Sequence, residues 1–537
     1  MREKVFGRTA DESLFSFRSL FEKFRELLAF NNRILELITD MGDKLSGDYV
    51  FDTRYLDEVV NELDDLVYRL VYNLNAITGN RNLALYDAFE RIRASIRSEL
   101  VHDSLPAGGG LVSPLAEVDL DLADLAGGKM GALGEVQSRL ELRVPTGFVI
   151  TTHAYRRFIG QKGIAEQLHR AYEALDAGTE PVRVSEVVRP AIEKASLPEE
   201  LDSAIRGAVR RLEEGGHKYF ALRSSATGED SELSFAGQYR SFLQVTAAQL
   251  ADRYKQVVSS LFSPEAIAYR GEHGIRHQES AMAVGVLAMV APSVSGVLYT
   301  RDPEAPDQDV LLVSASWGLA RTVVEGRSGT DFYKLARHSP GYELIQSKIG
   351  EKQKQLVPDA KLGEREEPVP AAFQKLPCLS QEDLERLAEI GDQIESYFKR
   401  PQDIEWGIDD AEEPVILQSR PLRVRAVERV GAEEIKKATK AHPRLMEDAG
   451  MVACRGIGAG KVMRVLSEDD FDRFQRGSVL VARTTSPNLS RLIPLSSAVV
   501  TDIGTPTGHM ATIAREYRVP TLVDTGEATQ RLEEAWK

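Results

Sequence analysis

Apolar residues recur at three-, four- and seven-residue spacing near the start of the chain, at Phe17, Phe21, Phe24, Leu28, Leu35 and Ile38, with charged residues between them. Such spacing lays one stripe along an α-helix and predicts that the stripe faces a core. Two further stripes, Leu56-Val59-Leu63-Leu66-Leu70-Leu74 and Leu85-Phe89-Ile92-Ile96-Leu100, predict two more helices. Residues 1–103 therefore read as a small antiparallel helical bundle, and a homodimer through that bundle is a further expectation. The pattern breaks at Asp103-Ser-Leu-Pro-Ala-Gly-Gly-Gly, a linker. From 115 to 422, β-rich runs such as Val144–Thr151, Tyr219–Arg223, Met282–Val290 and Val310–Ser314 alternate with helical stretches, an α/β or α+β pattern. Residues 423–450 are charged and poor in large apolar side chains, and read as a connector or hinge. Residues 451–537 alternate strands and short helices again, so the fold class expected is multidomain α+β and α/β.

Composition narrows the class. A chain of 537 residues has room for several domains, and 42% hydrophobic with 28% charged residues excludes a disordered chain. The net charge of −15 argues against a non-specific nucleic-acid binder. No apolar run reaches the roughly 18–20 residues that span a bilayer, and Met1-Arg-Glu-Lys-Val-Phe lacks a secretory core, so no membrane partner and a cytoplasmic location are expected. Cys378 and Cys454 are too few for a disulfide framework or a cysteine zinc site.

Four segments carry candidate chemistry. Gly127-Gly128-Lys129-Met130-Gly131 runs into a helical stretch, where small residues let amides approach an anion and Lys129 adds charge; it lacks Walker A spacing, and a structural glycine turn is an equal reading. Ala221-Leu222-Arg223-Ser224-Ser225-Ala226-Thr227-Gly228-Glu229-Asp230 is a strand ending in a guanidinium fork and a small polar loop, which suits phosphate. In Gln402-Asp403-Ile404-Glu405-Trp406-Gly407, strand alternation puts Asp403 and Glu405 on one face, where paired carboxylates can hold Mg²⁺, and Val415-Ile416-Leu417-Gln418-Ser419-Arg420-Pro421 follows. Finally, Thr501-Asp502-Ile503-Gly504-Thr505-Pro506-Thr507-Gly508-His509 precedes a helical run, which sets His509 at a helix N-terminus where an anion is favoured. A neutral imidazole there is a competent nucleophile for a phosphoryl group.

The first three motifs, in this order, resemble the ATP-grasp-type nucleotide domain of the phosphoenolpyruvate synthase and pyruvate phosphate dikinase family over about 115–422. The fourth resembles that family's swivelling phosphohistidine α/β domain over 451–537, which looks shortened at its end. The resemblance implies that Lys129 and Arg223 bind phosphates, that Asp403 and Glu405 serve nucleotide or Mg²⁺, that Gln418 contacts the nucleotide, and that His509 is phosphorylated from ATP. It further implies a dikinase-type phosphotransferase whose histidine takes the β-phosphate of ATP through a pyrophosphoryl intermediate, with pyruvate as final acceptor. The family's pyruvate-binding barrel finds no room in the sequence, so the chain is read as a fragment or as having its acceptor elsewhere.

Five departures stand out: Leu287 where the family usually has glutamine, Arg321 where it often has glutamate, Thr505 where it has glycine, Gly508 where it has serine or cysteine, and Met510 where it has alanine. Two other readings remain open: transfer to another small molecule or a glucan, and a catalytically impaired nucleotide-sensing scaffold. Because histidine and nucleotide belong to separate domains, a static structure can be expected to show them far apart.

Overall fold

The computed structural model describes residues 10–532 except 44–52, 79–80, 101–109, 228–238, 273–274, 279, 327, 339, 360, 410, 425–444 and 447–448. The chain divides into two compact units, Met1–Gly108 and Gly109–Lys537. Among the described residues, no helix is long and apolar enough to cross a membrane.

The first unit contains the helices Ala10–Asp43, Thr53–Thr78 and Ala84–Leu100. The first two run antiparallel, tied by Arg33–Glu62 at 2.8 Å, Asn73–Glu26 at 3.1 Å and Tyr55 to Asp40 at 2.6 Å. The stripe expected to be core is not core: Phe21, Phe24, Leu28, Leu35 and Ile38 are all exposed. This helix carries a second, neighbouring stripe, Leu27, Phe30, Ile34, Leu37 and Met41, and that one is turned inward. Periodicity shows that apolar stripes exist but cannot choose between two that lie side by side.

The second unit is built on three sheets. The first comprises β1 (Val112–Pro114), β2 (Gly147–Ile150), β3 (Phe220–Ala226), β4 (Phe242–Val245) and β5 (Met282–Ala288), wholly antiparallel in the order β1-β2-β5-β3-β4. The second comprises β6 (Val294–Tyr299), β7 (Val310–Trp317), β8 (Asp331–Arg337), β9 (Tyr342–Lys348), β12 (Gln402–Ile408) and β13 (Pro414–Pro421), also antiparallel, in the order β13-β12-β6-β7-β8-β9. A separate hairpin, β10 (Lys354–Asp359) and β11 (Gly363–Pro368), is inserted in sequence between β9 and β12 of this second sheet. The third comprises β14 (Met451–Cys454), β15 (Val462–Val465), β16 (Val479–Ala482), β17 (Ala498–Thr501) and β18 (Thr521–Val523), parallel except for β14, in the order β14-β18-β17-β16-β15.

Central strands read as unbroken apolar runs because both their faces are covered. On β5, Met282, Val284 and Val286 enter the core beneath the helices of residues 152–260. Ala283 and Leu287, on the opposite face, enter a second core shared with β6, β7, β12 and the helix Gly128–Ser138. That second core clamps the first two sheets together, and residues of β3, β5, β12 and β13 line the cavity described below.

A charged pair anchors the second sheet. Asp331 and Lys352 are wholly buried and bonded to each other, and Asp331 also accepts from Gly350 N at 3.0 Å, Cys378 N at 2.7 Å and the Tyr333 hydroxyl at 3.2 Å. Removing one charge strands the other in a medium that solvates it poorly. Asp331→Asn is expected to destabilise this unit by about 3–5 kcal/mol, read as an earlier urea midpoint. An unchanged midpoint would show that Lys352 finds another partner.

Candidate phosphate-binding and phosphoryl-accepting site

A cavity of about 680 Å³ lies where the three sheets of the second unit meet, and its walls include Lys129, Arg223, Glu405, Gln418, Arg420 and His509. This is an ordinary size for a small-molecule site. Histidine and phosphate loop were expected far apart, yet His509 lines the same cavity as Lys129.

Lys129 reaches the wall because of a tight backbone approach. Gly127 has φ 73°, and a Cβ there would stand 2.0 Å from the Ser225 carbonyl oxygen, so only glycine lets the loop lie against β3. Met130 N then donates to Ser225 Oγ at 3.2 Å. The glycine run is thus a structural turn, and the turn delivers Lys129 in the first turn of the helix Gly128–Ser138.

Arg223, on β3, bridges the two antiparallel sheets. One terminal nitrogen donates to the Leu417 carbonyl at 3.1 Å and Gln418 Oε1 at 3.2 Å, and the other pairs with Glu405 at 3.0 Å. Burial by itself would raise the Glu405 carboxyl, but Arg223, then Arg420, more than offset it and hold the group below its ordinary range. Asp403 goes the other way: burial raises it, and Arg420 only partly compensates. Two carboxylates on one strand face thus have opposite tendencies because their cations sit differently.

Of the two carboxylates expected at a cation, Glu405 lines the cavity, whereas Asp403 lies behind the wall, bonded to Arg420 at 2.9 and 2.7 Å. Arg420 was not singled out in the sequence. A signal existed: alternation on β13 places it on the face of Gln418, and register sets it opposite Asp403. The loop residues Gly228, Glu229 and Asp230 lie outside the described residues, as does most of the 423–450 connector.

His509 begins the helix His509–Tyr517 with Gly508 as its N-cap. Burial, and then Arg420, lower its imidazole to about 4, against an opposing pull from Glu325. The ring is therefore neutral near pH 7 and has a free lone pair. It is held there by a polar seam: the Tyr299 hydroxyl donates to the Thr507 carbonyl at 3.1 Å, and Ser314 Oγ lies 2.7 Å from both Thr505 and Thr507 hydroxyls. Arg515 donates to the Tyr299 hydroxyl at 3.2 Å, and Thr485 to the Glu325 carbonyl at 3.3 Å. Gly326, at φ 60°, would put a Cβ 1.9 Å from Thr485 Oγ1, so glycine is also required where the third sheet abuts.

Two of the departures, Leu287 and Arg321, fall on the cavity wall. Leu287 joins Met289, Val290, Pro292 and Leu319 in an apolar stretch. Arg321 pairs with Glu325 at 2.5 Å and Glu364 at 2.8 Å, so its charge is balanced within the protein. A partly apolar cavity whose wall carries Lys129, Arg223 and Arg420 beside Glu325, Glu366 and Glu405, with a neutral histidine among them, can hold a polyanion with a planar base and receive one of its phosphoryl groups.

The family model described as pyruvate phosphate dikinase, AMP/ATP-binding domain matches residues 123–441, and that of the PEP-utilising enzyme mobile domain matches residues 474–537. A probable phosphoenolpyruvate synthase of Archaeoglobus fulgidus is 37% identical over 427 residues, 78% of this chain and 56% of that protein. The phosphoenolpyruvate synthase of Deinococcus radiodurans is 36% identical over 435 residues, 79% of this chain and 55% of that protein. The chain spans about half the length of these curated relatives. By the match over 123–441, this chain belongs to the family of the pyruvate phosphate dikinase AMP/ATP-binding domain.

Proposed function

We propose that this chain binds ATP in the cavity and transfers its β-phosphate to His509, as the phosphorylating part of a dikinase-type reaction. The observation that carries the reading is the presence of His509 in one cavity with Lys129, Arg223, Glu405 and Gln418. In this reading residues 115–422 form an ATP-grasp-type nucleotide domain, 423–450 the hinge and 451–537 the phosphohistidine domain. The apolar wall at Leu287, Met289 and Val290 takes the base, and Lys129, Arg223 and Arg420 take the phosphates.

The neutral imidazole nitrogen forms a bond to the β-phosphorus while the bond from that phosphorus to the α–β bridging oxygen breaks, its electron pair leaving with AMP, so the ring first carries both the β and γ phosphoryl groups; attack of water or inorganic phosphate on the γ-phosphorus then breaks the β–γ bridge and leaves the β-phosphoryl group on His509. The cationic side chains are already in place to stabilise the charge that develops, so little rearrangement opposes the step. Among the described residues no cluster of three or more His, Cys, Asp or Glu side chains forms a ready metal cage. That suits Mg²⁺, which takes one or two carboxylates and completes its shell with phosphate oxygens and water. Glu405 is the carboxylate at the wall, with Gln418 beside it and Asp403 acting through Arg420. When bound, Mg²⁺ would neutralise phosphate charge.

That these relatives are phosphoenolpyruvate synthases supports pyruvate as the final acceptor, giving phosphoenolpyruvate. Buried free thiols at Cys378 and Cys454 accord with a reducing cytoplasm. The exposed Phe21–Ile38 stripe supports a homodimer through the helical unit.

The test is incubation with ATP labelled separately at the β and γ positions. Acid-labile, base-stable β-label on the protein is expected; an unlabelled protein that still binds ATP would instead support the nucleotide-sensing scaffold. Glu405→Gln is expected to slow labelling in a way that added Mg²⁺ partly restores. A rate equal to wild type across a Mg²⁺ titration would remove Glu405 from the metal.

A further inference from the structure

We infer that Glu325 is a positioning residue for His509, holding the proton on the imidazole nitrogen that does not attack, and that Arg321 holds Glu325 in place. The inference rests on the reading that His509 accepts a phosphoryl group.

Glu325 directly follows the short helix Arg321–Val324 and lines the cavity with His509 while remaining only 7% exposed. The two residues are brought together from both sides. The Glu325 carbonyl accepts from Thr485 at 3.3 Å, and a Cβ on Gly508 would stand 3.5 Å from the Val324 carbonyl oxygen. The backbone that carries Glu325 is therefore packed against the segment that carries His509. Its carboxylate cannot swing freely, because Arg321 Nε holds it at 2.5 Å while another Arg321 nitrogen holds Glu364 at 2.8 Å. Its charge also reaches the ring, since Glu325 is the group that favours protonation of His509 against burial and Arg420.

A neutral imidazole exists as two tautomers, and only the one whose lone pair faces phosphorus can attack. A carboxylate on the far side selects it by accepting the N–H. When the nitrogen–phosphorus bond forms, the ring becomes a phosphoimidazolium that still carries that N–H. The positive charge then faces Glu325, whose attraction is stronger in the transition state than in the ground state. Arg321 has the complementary task of keeping Glu325 away from the incoming phosphates, which its charge would repel. Arg321, a departure from the family's usual glutamate, is accounted for by the carboxylate one helical turn further on.

The experiment is single-turnover labelling of the full chain with β-labelled ATP, alongside nucleotide affinity, for wild type, Glu325→Gln, Arg321→Ala and Arg321→Lys. Glu325→Gln should slow labelling at saturating ATP by about 10–100-fold, as when an orienting carboxylate behind a functional imidazole is lost, with half-saturation unchanged. Arg321→Ala should fall in the same direction, and Arg321→Lys should recover most of the rate. Arg321 is 45% exposed at its side chain, so both substitutions there test the idea even if Glu325→Gln fails to fold. Wild-type rates in Glu325→Gln or in Arg321→Ala would overturn the inference, and so would a loss confined to ATP affinity. A wild-type protein that takes no label would instead overturn the reading on which the inference rests.

Discussion

His509→Ala is expected to eliminate acid-labile phosphoprotein completely while ATP still binds, because the substitution removes the acceptor nitrogen and leaves Lys129, Arg223 and Arg420 in place. Isothermal titration with a non-hydrolysable ATP analogue and labelling with β-labelled ATP measure the two halves separately. Residual label on the alanine variant would place the acceptor elsewhere. The same residue sets a pH dependence. In the docked arrangement its imidazole is lowered to about 4, first by burial and then by Arg420, from an ordinary value near 6.5. Between those values a His509 carried out of the cavity on the proposed hinge would bind a proton that His509 within it refuses, so its placement there would be fully favoured above about pH 6.5 and weaken as pH falls toward 4. Labelling should be level near neutrality and lose up to about tenfold per pH unit below 6.5, the limit for one proton. A rate constant that stays level from pH 7 to 4.5 would mean that His509 is not buried when it reacts.

Arg223→Lys should be nearly as damaging as Arg223→Ala. The guanidinium meets the Leu417 carbonyl, Gln418 Oε1 and Glu405 at 3.0–3.2 Å from one planar fork, and an ammonium on a flexible stem cannot hold all three while facing a phosphate. The alanine change also leaves Glu405 mostly buried beside one cation fewer, so its carboxyl rises and becomes a poorer ligand for Mg²⁺. Labelling is expected to fall by about 10²–10³-fold, the usual loss when one preorganised donor to developing charge is removed. Circular dichroism should stay that of the folded chain. If the lysine variant labels at the wild-type rate, charge alone suffices at this position and the bridging geometry is incidental.

Local pattern carried much of the architecture, for identifiable reasons. Met282–Ala288 and Val310–Trp317 are continuous apolar runs rich in β-branched residues, and strands covered on both faces have that composition. The glycines before Lys129 and the turn residues before His509 likewise betray backbone that must approach something closely. The side chains Lys129, Arg223, Glu405 and His509 could be named one by one, since each stands in a short motif, whereas Gln418 is named only through the family resemblance. That they line a single cavity is a property of three sheets packing together, which no local spacing encodes.

The sequence by itself determined the strands, the helices and the chemical identity of the groups, because these follow from periodicity and residue type. Tertiary structure alone decided which of two apolar stripes on the first helix turns inward, since both satisfy the same period. It separated Asp403 from Glu405, which share a strand face yet meet different cations across the sheet. It brought Glu325 to the wall that holds His509, across 184 positions of chain, because packing between sheets places side chains by shape and charge rather than by distance along the backbone.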